Sequence, residues 1–266
     1  MASLEHLYSS KIYWHLDLSL FTKASDLFSS KKNQRIRVGL ERLKDNGYNI
    51  YNIPLTKEQL HKFNVGYVEY IKNKDKGIVR DVVSMVVTED MDINPHRLLY
   101  IENSKGEFLG GLIFRYNLEP QVATTAYKYF PLQLNDINLP ISLTYIIEYI
   151  FFEDAFDKGI KLIKHGKDSN PFGIKNHIGL AQFKLSLKAL PYQSKKSSQI
   201  MRFFPSRTTY LELSDMLLCC VDETGKFSHL LMCVSNKETI PNKYKDLLNY
   251  PHIIYIYKDK NLILEK

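Results

Sequence analysis

The side chains best suited to chemistry lie in one short stretch of the second half of the sequence. His165-Gly166-Lys167-Asp168-Ser169-Asn170-Pro171-Phe172-Gly173 places an imidazole, a carboxylate and a carboxamide close together. Gly179-Leu180-Ala181-Gln182-Phe183-Lys184 follows and ends on a cation. An imidazole with an unperturbed pKa near ~6.5 suits proton transfer at neutral pH, so His165 is a candidate general base. Asp168 can hold a hydroxyl or an amine, and Lys184 can offset the charge of an oxyanion. Together such groups can hold a nucleophile and offset a negative charge that develops during a reaction. Each residue also has a plainer reading. His165 is equally a structural histidine at a strand end, Asp168 an Asx-turn residue, and Lys184 a solvated lysine on an amphipathic helix. Asn170 and Asn176 carry the same ambiguity as Asp168.

Other chemistries lack their signatures. The sequence has no Gly-x-Ser-x-Gly elbow, Walker loop, His-Glu-x-x-His or Gly-x-Gly-x-x-Gly. Its three cysteines, Cys219, Cys220 and Cys233, are odd in number and lack Cys-x-x-Cys spacing, which argues against a disulfide framework and a zinc site. No metal is expected.

The elements that must position these residues read as follows. Tyr13 to Phe21 alternates partly and suggests a strand. Ser25 to Lys44 reads as a helix, with Ile36, Leu40 and Leu43 on one face and Gly47 after it. Tyr48 to Ile53 reads as a strand. Thr56-Lys57-Glu58-Gln59 opens a helix running toward Lys72, with a capping-box pattern. Arg97–Glu102 and Glu107–Tyr116, joined by Asn103-Ser104-Lys105-Gly106, form the clearest β-hairpin. Val122 to Tyr129 suggests a further strand, Pro140 to Lys158 a helix, and Ile160 to His165 a strand straight after it. That strand carries His165 and Asp168 at its end, where α/β sheets place ligands. A helix near Gly179 to Leu190 carries Lys184. Strand-like stretches follow at Thr209–Leu213, Met216–Val221, Ser228–Val234 and His252–Tyr257, with a short helix at Lys243 to Asn249. No linker or repeat is visible, so residues 1–266 are expected to form one domain.

Two of these features carry a resemblance to a family. The hairpin, with Gly110-Gly111 opening its second strand, resembles the central hairpin of GNAT acyltransferases. The run Asp154-Ala-Phe-Asp-Lys-Gly-Ile160, a strand, the Gly/Asn loop through Gly173, then Gly179-Leu-Ala-Gln-Phe-Lys184 and Pro191-Tyr192 resembles the branch that includes FemABX-like peptidoglycan-bridge enzymes. The resemblance covers roughly residues 97–192. It implies an α/β (α+β) fold with a mixed, mostly antiparallel central sheet flanked by helices. It further implies an N-acyltransferase in which Phe183 and Lys184 sit beside the bound substrates. Taken with the residue types read above, Lys184, His165 and Asp168 are the candidate catalytic residues. Phe183, Asn170, Phe172, Asn176 and Tyr192 would then contact substrate, and the strand around Ile113, Phe114 and Arg115 would supply the oxyanion and donor site. Acyl-CoA, in the form of acetyl-CoA, is the donor expected from the family. One departure bears on it: 132–140, ahead of the Pro140 helix, contains no glycine where the coenzyme-A enzymes carry a pyrophosphate loop. Aminoacyl-tRNA, the donor of FemABX-like proteins, is the alternative. The expected acceptor is the amine of a small molecule, an amino sugar or nucleotide sugar of envelope or polysaccharide synthesis. A non-catalytic GNAT-like binding module is the rival from another class.

Composition sets the outer limits. With 44% hydrophobic and 24% charged residues the chain is ordinary globular material. No apolar run reaches the ~20 residues of a membrane span, and no secretory signal is visible, so a cytoplasmic protein is expected. Of the net charge of +7, most sits in residues 1–80, with 14 Lys or Arg against 8 Asp or Glu. That bias suits a polyanion such as tRNA, or is simply a lysine-rich solvated face.

Overall fold

The structure is a computed structural model that describes residues 5–74, 79–83, 96–131, 134, 137–174, 176–193, 200–204, 215–235, 244–258 and 261–264. In chain order the first elements are β1 (His6–Ser9), β2 (Lys11–Asp17), α1 (Ser30–Asp45), β3 (Asn49–Pro54) and α2 (Lys57–Lys72). The middle of the chain forms β4 (Arg97–Glu102), β5 (Phe108–Asn117), β6 (Val122–Tyr129), α3 (Leu143–Asp157) and β7 (Leu162–Ser169). Then come α4 (Ile178–Ser186), β8 (Leu190–Gln193), β9 (Ile200–Phe203), β10 (Met216–Val221), β11 (Phe227–Val234), β12 (His252–Lys258) and β13 (Asn261–Leu264). The fold is α+β, with mostly antiparallel sheets flanked by helices. The chain forms two compact units, Asp17–Lys164 and a second made of Met1–Leu16 with His165–Lys266, the boundary falling inside β7. No described helix is long and apolar enough to cross a membrane.

In the Asp17–Lys164 unit, β3, β4, β5 and β6 form an antiparallel sheet, and β6 continues parallel onto the first residues of β7. The hairpin forms as its turn residues dictate, with Gly106 at φ 78° between strands paired from Arg97↔Phe114 to Glu102↔Phe108. Between β5 and β6 the register jumps from Ile113↔Tyr127 to Phe114↔Thr125, which makes Ala126 an extra, bulged residue on β6. Helix α2 starts at the predicted capping box, with Thr56 Oγ1 accepting from the Gln59 amide. It buries Leu60, Phe63 and Tyr67 against Leu98, Ile113 and Tyr129. Helix α1 lies close on α3 because residue 39 is glycine; a Cβ there would fall 2.6 Å from Ile146 Cδ1.

Three helix boundaries differ from the sequence reading, one of them the helix near Gly179 to Leu190, which ends at Ser186 and leaves Leu190 to open β8. Ser25 to Lys44 is not one helix: Ala24–Leu27 is a separate 3-10 turn, and Ser29 caps α1 by accepting from the Lys32 amide. The Pro140 helix begins at Leu143, after a Ser142 N-cap. The strand expected over Thr209–Leu213, and Lys243 of the short helix, lie outside the described residues.

In the other unit, β1, β9, β10, β11, β12 and β13 form a six-stranded sheet in the order β13-β12-β11-β10-β1-β9, and β2 pairs antiparallel with β8. The cysteines are apolar filling, as their sequence context suggests: all three are free and buried, and burial pushes the Cys220 and Cys233 thiols up to about 12. A hydrogen-bonded chain crosses this sheet, with His6 Nδ1 3.1 Å from His229 Nε2 and His6 Nε2 3.1 Å from the Tyr255 hydroxyl. Burial, then the neighbouring His229, pushes the His6 imidazole down to about 4. The folded state therefore resists a proton that the unfolded chain accepts near ~6.5. Stability is unaffected by this group above that pH and falls as the pH drops from about 6.5 toward 4, by up to about 3 kcal/mol. Urea denaturation across that range is expected to show the loss, and a His6→Gln variant should flatten it.

Candidate functional site

All residues of the sequence-predicted cluster around Lys184 fall in the unit made of Met1–Leu16 and His165–Lys266. Strand β7 runs further than the sequence suggests, through Ser169, so Asp168 is a strand residue and not part of the following loop. Its side chain is committed to partners far away in sequence. Asp168 Oδ2 accepts from the Trp14 indole Nε1 at 2.7 Å and from Lys184 Nζ at 2.6 Å. Among the described residues, Oδ1 makes no hydrogen bond. The Asx-turn alternative for Asp168 is thereby replaced by a carboxylate pinned through one oxygen, with the other left over.

Lys184 is not a solvated surface lysine. It comes from α4, and its side chain is 7% exposed against 14% for that of Asp168. Nζ makes a second bond to the His165 backbone carbonyl at 2.9 Å and lies 5.5 Å from the centre of the Trp14 ring. A lysine ammonium carries three donor hydrogens, and a carboxylate, a carbonyl and an aromatic face are matched to them. Such a pair holds geometry well, because each partner would be costly to leave alone in this surrounding.

His165 is buried on β7, 5% exposed, and it reaches Lys184 through its carbonyl oxygen. Asn170 is 3% exposed, with all its amide capacity spent on backbone: Nδ2 donates to the Ser9 and Cys219 carbonyls, each at 3.0 Å, and Oδ1 accepts from the Cys219 amide at 3.2 Å. It ties the end of β1 and β10 to the loop after β7. Phe172 is fully buried under Trp14, ring centres 6.0 Å apart. Asn176 donates to the Ser169 carbonyl at 2.8 Å. Gly173 sits at φ 92°, and a Cβ there would fall 2.1 Å from the Asp215 carbonyl oxygen, so the loop closes only with glycine. Tyr192 on β8 stacks on His15 at 5.3 Å, and Phe183 is half-buried on α4.

In the other unit, Ile113 and Phe114 on β5 are buried and paired on both sides, to β4 and to β6; Arg115 pairs with Thr124. Two backbone irregularities lie in this sheet: the β4–β5 ladder shifts register so that Leu109 is extra on β5 itself, and the β5–β6 ladder shifts at Ala126.

Trp14 is the member of the cluster that sequence reasoning missed. The available signal was that this sole tryptophan sits on an alternating strand, where a buried indole N–H needs an acceptor. Among the described residues no group of three or more His, Cys, Asp or Glu converges as a metal site would require.

No family model and no curated protein matches the sequence. Among solved structures, L-PGS from Bacillus licheniformis is similar over 77% of this chain and 63% of its own length, at 16% identity and a TM-score of 0.44. The C-terminal domain of a putative lysylphosphatidylglycerol synthetase from Agrobacterium fabrum is similar over 74% of this chain and 61% of its own length, at 11% identity and a TM-score of 0.46. A tandem GNAT protein from the clavulanic acid biosynthesis pathway is similar over 74% of this chain and 54% of its own length, at 12% identity and a TM-score of 0.42. The chain thus spans about three fifths of the length of the first two.

Proposed function

We propose that the chain is an acyltransferase that moves an activated acyl group onto the amine of a small acceptor. The observation that carries this reading is the pinned Asp168. Trp14 and Lys184 fix Oδ2, which leaves Oδ1 as an acceptor in a set orientation for a substrate N–H. In the proposed reaction Oδ1 holds the acceptor amine, which attacks the donor carbonyl as a neutral nitrogen. A C–N bond forms, the bond to the leaving group breaks, and the nitrogen's proton departs with the leaving group or solvent. Lys184 holds the carboxylate in place and supplies the local positive charge that favours an oxyanion.

Acyl-CoA does not fit this chain in the way the resembling family holds it. No glycine occurs in 132–140, and Arg42 spends a donor on the Asn138 carbonyl in that segment. A close-approaching backbone nest for a pyrophosphate needs residues without Cβ atoms. No step above runs through coenzyme A. With no glycine in that segment, an aminoacyl ester such as aminoacyl-tRNA is kept as the second donor. An amino sugar or nucleotide sugar remains the proposed acceptor class.

The test is transfer of labelled acyl groups to a panel of small amines, from acetyl-CoA in one arm and aminoacyl-tRNA in the other. Turnover with either donor, reduced about 100-fold or more by Asp168→Asn in a folded protein, is the expected result. Turnover that Asp168→Asn leaves unchanged would remove Asp168 from the reaction. No turnover with any donor, together with unaltered melting in the presence of both, would favour the binding-module alternative.

A further inference from the structure

In the Asp17–Lys164 unit a cleft of about 550 Å³ opens between α1, the turn before it and α3. That size lies within the ~300–1,000 Å³ typical of small-molecule sites. Its walls follow from helical spacing. Asn33, Arg37 and Leu40 line one stripe of α1, and Tyr149 and Glu153, four residues apart, line the facing stripe of α3. Ser25 and Ser30 add hydroxyls at one end. The Asn33 amide donates to the Ser25 carbonyl at 2.8 Å and to the Phe28 carbonyl at 3.2 Å, so the turn is fastened to α1 and that wall is fixed.

Two opposite charges thus line one cleft, Arg37 on α1 and Glu153 on α3. Among the described residues neither forms an ion pair, with the other or with any third group. A guanidinium is matched to a planar or tetrahedral acid group, and a carboxylate to an ammonium. Leu40 and Tyr149, both half-buried, add apolar surface to the same cleft, which suits a short hydrocarbon spacer. Tyr149 donates its phenol hydrogen to the Glu153 carboxylate and so orients it; burial first, then this bond and the carboxylate's charge, hold the phenol above its usual range. The phenol therefore stays protonated.

We propose that this cleft binds a small zwitterion, with its phosphate or carboxylate on Arg37, its ammonium on Glu153 and a short apolar spacer between. Binding at this cleft is read without turnover and the acyltransferase reading by turnover, so the failure of one is distinguishable from the failure of the other. The experiment is titration calorimetry on the full chain with O-phosphoethanolamine and γ-aminobutyrate, and with inorganic phosphate and ethanolamine as the separated halves. At least one zwitterion is expected to bind, and both halves to bind at least tenfold more weakly. Arg37→Ala and Glu153→Gln, at exposed positions whose folding circular dichroism would confirm, should each weaken the zwitterion at least tenfold. Loss of affinity in Arg37→Ala with full affinity in Glu153→Gln would overturn the proposal in favour of a plain anion site. So would equal binding of inorganic phosphate, and binding of neither zwitterion would overturn it outright.

Discussion

Replacing Lys184 by methionine is expected to cost about 3–5 kcal/mol of stability, even though the stem of the side chain is kept. The partner left behind decides the size. Asp168 would retain the Trp14 N–H but lose the cation 2.6 Å from Oδ2, and the His165 carbonyl would lose its 2.9 Å donor. Neither group can turn to water easily, since the Asp168 side chain is only 14% exposed. Asp168→Leu should cost a comparable amount by stranding the ammonium. The double variant is the informative one. With both charges gone, the Trp14 indole and the His165 carbonyl are the only groups left unserved, so it should be destabilised by clearly less than the two single losses added together. Urea denaturation of the four proteins gives the cycle. Single losses below about 1 kcal/mol would mean that the pair behaves as an exposed one. Acyl transfer should be lost in all three variants, including the double variant.

Local features of the fold were legible in the residues, and long-range ones were not. The hairpin was readable because its turn and alternation are contained in twenty residues, and β4 and β5 fall within two residues of the expected ends. The Thr56 capping box and the buried run Met216–Val221 are equally local. The break between the 3-10 turn and α1 was missed because helical periodicity reads through it; Ser29 was the clue. Strands β1, β8 and β9 are four residues each and take their partners from the far end of the chain, as in His6↔Phe203, so no local pattern announces them. The site divides in the same way. Lys184 and Asp168 were found together by motif, sixteen residues apart, whereas Trp14 is 154 residues from Asp168 and nothing in its surroundings points there. Asn170 shows the opposite difficulty: residue type suggested a substrate contact, and only three long-range backbone bonds reveal a structural stitch.

That stitch gives the second large effect. Asn170→Asp keeps the shape of the side chain and replaces an NH₂ by an oxygen that faces the Ser9 and Cys219 carbonyls at 3.0 Å. The amide orientation is not ambiguous, because only Nδ2 can donate to two carbonyls while Oδ1 receives the Cys219 N–H. Two favourable contacts therefore become two repulsive ones at a position 3% exposed, and a loss of at least about 3 kcal/mol at pH 7 is expected. The penalty should depend on pH. A protonated carboxyl can donate to one of the two carbonyls, so the folded-state pKa of the new group must lie above its unfolded value near ~3.9. The deficit relative to wild type is then smallest below that value and grows as the pH rises through the folded pKa. Measuring each variant against wild type at the same pH removes the contribution of His6. Asn170→Ala should be destabilised too, but by an amount that does not change with pH. Asn170 lies two residues beyond Asp168 on the chain, so activity in Asn170→Asp should follow the folded fraction and return under conditions that refold it. A substrate-contacting Asn170 would instead raise KM in fully folded protein, and that result would return it to the binding site.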